Sequence, residues 1–331
     1  MISTQPGYIS LYRSGELERR ASLLEARLAS CDICPRVCRV NRQENEPGGF
    51  CHSGRLPIVS SVCAHHGEEP VLSGSRGSGT IFFGNCNMRC LYCQNYQISQ
   101  NWKEQKSKET DCHSLVRYML YLQEELGCHN INFVSPSHFV PQIVRAVVEA
   151  VPMGLRLPLV YNTNGYDSIA TLRELEGVIS IYLPDLRYAF DKWAKKLSQA
   201  EGYVPVARQA IKEMYRQVGN LALDDSGVAR QGLIVRHLVL PNGIAGSEES
   251  LTWLAKEISP AVTVSIMSQY SPAFRAGRVP LLSRSITRAE YKSVVNLLSD
   301  LGMENGWLQD LGAQEYYLPD FEREGHPFST R

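Results

Sequence analysis

The sequence predicts an α/β protein: a partial, TIM-like (β/α)6 barrel with an N-terminal cysteine-rich metal-binding subdomain. Three observations predict it. From residue 80 onward, six short apolar runs alternate with helical patterns, as βαβ units on a parallel sheet do. Four clustered cysteines precede this core. Three more follow its first apolar run directly. Right-handed crossovers curl βαβ units in one sense, and six strands fall short of the eight of a complete barrel.

In chain order, residues 11–30 are charged and leucine-rich. Leu17, Leu23, Leu24 and Leu28 stand at helical spacing and predict an amphipathic helix. Pro35, Pro47, Gly48 and Gly49 then mark the cysteine segment as loops and turns. Behind a Gly- and Ser-rich stretch at 73–80, strands are expected at 80–83, 130–134, 158–161, 178–183, 233–240 and 262–267. Helices are expected at 114–126, 139–150, 168–175, 204–218, 247–258 and 287–301. The tail is rich in aromatic, proline and charged residues. It has room for one extra strand and is otherwise unassigned. The domain reading is therefore 1–72 for the helix and four-cysteine subdomain, 73–304 for the barrel, and 305–331 for the tail.

Lysine plus arginine number 34 and aspartate plus glutamate 34, so the charge balance does not point to a nucleic-acid partner. No apolar run approaches the roughly 18 residues of a membrane span. The start lacks the basic and apolar regions of a signal peptide, and the expected location is the cytoplasm. In that reducing compartment clustered cysteines bind metal more often than they form disulfides. Of the remaining three, Cys63, Cys112 and Cys128 read as buried free thiols.

Cys86, Cys90 and Cys93 have the spacing C-x3-C-x2-C directly after the apolar run at 81–83. A loop at the C-terminal end of a barrel strand is where this architecture places chemistry. Three thiolates hold three irons of a [4Fe–4S] cube and leave the fourth iron open. Zinc is the competing metal, although a structural zinc wants four ligands.

This motif, with Tyr92 just before the third cysteine, resembles the radical S-adenosylmethionine (SAM) superfamily. The longer string from Gly77 to Ser99 is similar to its pyruvate formate-lyase activating enzyme-like branch, and the likeness extends from about Cys31 to Trp307. The resemblance implies SAM bound at the open iron and one-electron cleavage to methionine and a 5′-deoxyadenosyl radical that abstracts hydrogen. It also implies an electron donor such as flavodoxin or ferredoxin, and a glycyl radical enzyme as partner.

The resemblance further implies where SAM is held. The branch has a Gly-Gly-Glu motif after its second strand; here Ser135, Ser137 and His138 stand there. Asn162 and Thr163, after the third strand, and Asp185 and Arg187, after the fourth, match loops that meet the SAM carboxylate and take a monovalent cation. Asn162 replaces an aspartate and Arg187 a lysine. Arginine offers a carboxylate two parallel hydrogen bonds. His237 matches a histidine that touches SAM. Gln269 and Tyr270, after the sixth strand, are weaker candidates for the substrate side. Read from residues alone, Asn162–Gly165 is a turn and His237 a hydrogen-bonded core residue.

Cys31, Cys34, Cys38 and Cys51 supply four ligands and close a coordination sphere, for zinc or a second iron–sulfur cluster. His52, His65 and His66 lie near enough in sequence to replace one of them. Glu68 and Glu69 read as a solvated turn. The leading expectation is a radical SAM enzyme that activates a glycyl radical enzyme. The alternatives are radical modification of a small molecule or peptide, and a non-catalytic zinc-binding module.

Overall fold

In the computed structural model the chain is described for residues 5–44, 48–312, 318–323 and 326–328. Among the described residues nine strands form one sheet: β1 (Val59–His65), β2 (Ser78–Phe83), β3 (Ile131–Val134), β4 (Leu159–Thr163), β5 (Ile181–Pro184), β6 (Ala222–Leu223), β7 (Ala229–Leu238), β8 (Thr263–Met267) and β9 (Gly306–Leu308). The sheet runs β1-β2-β3-β4-β5-β7-β8-β9, with β6 attached to β7. β1 and β6 pair antiparallel, and every other pair is parallel. The sheet is not closed. Its edges are β1 and β9.

Both faces of β2, β3, β4 and β5 are buried, which is why they read as near-continuous apolar runs. One set of side chains, including Phe83, Phe133 and Tyr161, packs into the core shared with the helices. The alternate set, Val160, Ile181, Leu183 and Ile234, closes around Val71 and Leu72. Those two residues belong to a single helical turn, Pro70–Ser73, that plugs the inside of the sheet. Asn130 Nδ2 donates to the Leu72 carbonyl at 2.8 Å and fixes the plug to the start of β3.

Six helical connections join the seven parallel strands, as expected for a (β/α)6 unit, and a seventh parallel strand follows. That strand, β9, lies in the tail and pairs with β8. Its Gly306 is required: a Cβ there would stand 1.8 Å from the Val264 carbonyl oxygen. β1 was not expected. Its sequence has two adjacent serines and its strand is only half buried, so the alternation is weak. The helix Asp191–Ser198 was also missed, being short and dominated by charge.

The helix expected over 11–30 is broken into Gly7–Arg13, Glu16–Ala26 and a 3₁₀ turn, Arg27–Ser30. Gly15 at φ 76° makes the break. Leu17, Ala21 and Leu24 form the buried face of the middle helix, whereas Leu23 is exposed. Arg145 ties that helix to Val140–Ala150 through Glu18 and Glu25. From the tail, Phe321 meets Phe82 edge-on and Phe328 stacks on His65 of β1. Among the described residues no helix is long and apolar enough to cross a membrane.

Candidate active site

β2 ends at Phe83, and the chain turns at Asn85, whose backbone is left-handed at φ 63°. The loop that follows is pinned from several sides. Arg89 N and Leu91 N donate to the carbonyls of Ser198 and Leu197 (2.9 and 2.8 Å). Asn87 Nδ2 donates to the Tyr166 carbonyl, and Asn164 Nδ2 donates to Asn87 Oδ1, both at 2.7 Å. Tyr92, Tyr188 and Ser198 form a buried hydroxyl chain with links of 2.5 and 2.6 Å.

Each thiol of this loop has a donor beside it. Met88 N and Asn164 Nδ2 stand 3.4 and 3.5 Å from Cys86 Sγ. Ser99 Oγ is 3.1 Å from Cys93 Sγ, and Arg187 Nη1 is 4.0 Å from Cys90 Sγ. Burial pushes Cys93 up to about 12, and the neighbouring Cys90 and Cys86 add to the rise. Burial, then Cys90, raises Cys86 as well. Cys90 thus acts as a like charge on both Cys86 and Cys93, which places the three sulfurs in one neighbourhood. A soft metal takes the place of thiol protons, so three clustered thiols with donors beside them fit an iron–sulfur cluster.

Beside Cys93 opens a cavity of about 630 Å³. Asp185 is its electrostatic centre. Arg187 Nη2 donates to Asp185 Oδ2 at 2.5 Å, and Arg236 Nε donates to Oδ1 at 2.9 Å. Arg236 Nη2 also donates to Asn162 Oδ1 at 2.6 Å, and its Nη1 lies 3.8 Å from Glu68 Oε2. A guanidinium thus holds two of the three groups, Asn162 and Asp185 but not Thr163, whose oxygens were expected to bind a monovalent cation.

Glu68 and Glu69 correct the sequence reading. They are not a solvated turn: the Pro70–Ser73 plug carries both into the cavity wall, and Glu69 is only 8% exposed. Burial pushes Glu69 up to about 7, with Arg236 pulling the other way. Its Oε2 has no hydrogen-bond partner among the described residues.

The cavity brings together Cys93, Asn162, Asp185, Arg187 and Gln269. It leaves out Ser135, Ser137, His138, Thr163, His237 and Tyr270. Ser137 Oγ pairs with Thr163 Oγ1 at 3.1 Å, and Thr163 Oγ1 in turn donates to buried Asp167 at 2.6 Å. His138 Nε2 bonds the Gly84 carbonyl at 2.9 Å. His237 spends both ring nitrogens elsewhere, on the Leu186 carbonyl (2.7 Å) and Ser247 Oγ (2.8 Å), and burial lowers it to about 4. Adjacent strand residues point to opposite faces. With Arg236 inward, His237 must face out. Arg236, Glu68, Glu69, Ser99 and Asn164 were missed as site residues. Strand alternation carried a usable signal only for Arg236.

Cys31, Cys34, Cys38 and Cys51 line one small void. Burial pushes the Cys34 thiol up; Cys51, Cys31 and Cys38 add to it as like charges. Val37, Arg39 and His52, each next to one of these cysteines, have left-handed backbones at φ 44°, 58° and 51°. Such conformations cost about 1–3 kcal/mol each and persist only where the surroundings enforce them. Gly49 completes the turn, since a Cβ there would come within 3.1 Å of Cys38 Sγ. His52 stacks on Trp102 and His65 on Phe328, and neither lines the void. Among the described residues no three His, Cys, Asp or Glu side chains already stand metal-ready around one point. Small rotations must therefore close either thiol group on an incoming metal.

A domain with cysteines at the end of the first parallel strand and a polar cavity beside them defines a class. Residues 80–216 match the family model of the Radical SAM superfamily, so the chain carries a radical SAM domain, which includes Cys86, Cys90 and Cys93. That domain implies a [4Fe–4S] cluster, SAM and an external reductant. The chain is also 27% identical over 295 residues to the uncharacterized protein MJ0674 of Methanocaldococcus jannaschii. The match covers 87% of this chain and 80% of that protein.

Proposed function

We propose that the protein is a radical SAM enzyme in which Cys86, Cys90 and Cys93 hold a [4Fe–4S] cluster with one open iron. The supporting observation is the loop that gathers the three thiols, each with a polar group beside it, and opens through Cys93 onto a cavity of about 630 Å³. When bound, such a cluster supplies one electron to SAM, whose cleavage yields methionine and a 5′-deoxyadenosyl radical that takes hydrogen from the substrate.

The chain's own residues do the rest. Arg187 holds Asp185 with one nitrogen, while its buried Nε has no partner among the described residues and is available to the SAM carboxylate. Arg236 supplies, on Asp185 and Asn162, the positive charge that a monovalent cation would supply. The plug at Val71 and Leu72 closes the floor, and the Phe321 and Phe328 contacts help to keep water out. Ser135, Ser137, His138, Thr163 and His237 support the loops that carry these groups. The electron comes from a donor of the flavodoxin or ferredoxin class.

Two hydrogen donors fit this chemistry: a backbone glycine of a glycyl radical enzyme, or a small molecule or peptide. The polar floor of Glu68, Glu69 and Arg236 favours the second, because a glycine methylene offers it no polar partner. In the test, the anaerobically reconstituted protein is reduced and its EPR spectrum recorded with and without SAM. A [4Fe–4S] signal that shifts on adding SAM supports the reading. A protein holding zinc alone would favour the non-catalytic module.

A further inference from the structure

The two cysteine groups are built against one another. Arg36 lies between Cys34 and Cys38 in the chain, and its Nε donates to the carbonyl of Asn87, the residue after Cys86, at 2.9 Å. Its guanidinium carbon stands 3.5 Å from the ring centre of Phe50, the residue before Cys51. Arg89, just before Cys90, lies 5.0 Å from the same ring and donates from Nη2 to the Phe50 carbonyl at 2.7 Å. Its Nη1 donates to the Cys86 carbonyl at 3.2 Å. Asn85, just before Cys86, donates to the carbonyl of His52, just after Cys51, at 3.1 Å. The immediate neighbours of one set of ligands are thus bonded to the immediate neighbours of the other.

The void shared by Cys31, Cys34, Cys38 and Cys51 measures about 10 Å³. That is room for about one atom. Four thiols around a space of that size suit a single ion in a tetrathiolate shell, which small side-chain rotations complete, whereas a cube of irons and sulfides requires the segment to open further. Two donors already face these sulfurs: Phe50 N at 3.4 Å from Cys38, and Arg42 Nη1 at 3.8 Å from Cys31. Arg42 is 1% exposed and also binds the carbonyls of Gly54 and His138. His138 in turn reaches Gly84, at the root of the Cys86 loop.

We propose that Cys31, Cys34, Cys38 and Cys51 bind one zinc-class ion. Through Arg36, Phe50 and Arg89 this ion holds the Cys86–Cys93 loop in the form that accepts iron. The second half of the proposal rests on the cluster reading above; the first half does not. The bonds run both ways: Arg36 holds the Asn87 carbonyl from the N-terminal segment, while Arg89 and Asn85 hold the Phe50 and His52 carbonyls from the loop, and replacing the three loop cysteines leaves all of these side chains in place.

Metal analysis of the full chain tests both halves. A Cys86→Ala/Cys90→Ala/Cys93→Ala variant should retain about one zinc per chain and bind almost no iron or sulfide. A Cys34→Ser/Cys38→Ser variant should lose the zinc. On reconstitution it should also take up iron poorly at the untouched cysteines. Arg36→Ala keeps all seven thiols, so it guards against simple misfolding. It should retain zinc and hold iron about 10-fold more weakly, as loss of an outer-shell partner does, with an altered EPR spectrum that Arg36→Lys partly restores. Absence of stoichiometric zinc from the triple variant overturns the first half, as does iron with sulfide in its place. Normal iron loading and an unchanged spectrum in both N-terminal variants overturn the second. If the wild type itself forms no cluster, the cluster reading fails, and the zinc content of the triple variant still decides the first half.

Discussion

Arg187 Nη1 stands 4.0 Å from Cys90 Sγ while Nη2 of the same side chain holds the Asp185 carboxylate. A fixed positive charge beside a cluster ligand stabilises the reduced, more negative state. Arg187→Met is therefore expected to lower the midpoint potential. The drop should be about 60 mV for each 1.4 kcal/mol of lost stabilisation. A redox titration followed by EPR reads this directly, and an unchanged potential would separate Arg187 from the cluster.

His237 is a structural residue on this account. His237→Leu leaves the Leu186 carbonyl and Ser247 Oγ without their partner. A cost of about 2 kcal/mol is expected. SAM affinity should stay within about twofold of the wild type, since a change of 0.4 kcal/mol or less is not a lost contact. Chemical denaturation and equilibrium binding, measured on one preparation, distinguish this from a role in holding SAM.

Glu69 predicts a pH effect of defined sign. Its carboxyl titrates near 7 in the folded chain, above its ordinary value of 4.5, because it is buried. The folded state then binds more protons than the unfolded one between those limits. Stability contributed by the protonated group is full below about 4.5 and is lost as pH rises through 7. Glu69→Gln should remove the dependence, gaining on the wild type by up to about 3 kcal/mol between pH 5 and pH 8. Urea denaturation of the metal-free protein at the two pH values measures it. Equal shifts at both would mean that Glu69 is paired and ionised throughout.

The buried hydroxyl chain gives a fourth expectation. Tyr188→Phe strands Tyr92 on one side and Ser198 on the other. A loss of about 1–3 kcal/mol in stability should follow. Tyr92 lies next to Cys93, so the Cys86–Cys93 loop should become more open to protease. Limited proteolysis of wild type and variant compares the two.

The alternation of apolar runs and helices was legible because β2 to β5 are buried on both faces and helices such as Glu16–Ala26 bury one face. β1 and the 191–198 helix were not, because a half-exposed edge strand and a short charged helix lack that periodicity. The cysteine spacings located both thiol groups, since the thiols of one loop lie close in sequence. The cavity wall was harder to read. Glu68 and Glu69 look like surface residues until the plug at 70–73 carries them inward, a placement set by packing far along the chain. Arg236 and His237 are adjacent, and only the facing of β7 decides which of them meets the cavity. Asn162 and Asp185 were singled out and line the cavity; their shared partner Arg236 was not singled out.

The central claim is that Cys86, Cys90 and Cys93 carry a cluster that cleaves SAM. The most direct measurement is the yield of 5′-deoxyadenosine and methionine from reconstituted, reduced protein with SAM under anaerobic conditions, with Cys90→Ala alongside. The account predicts both products in equal amounts from the wild type and none above background from the variant. Equal yields from the two proteins, or none from a wild type whose cluster is fully loaded and binds SAM, would contradict it.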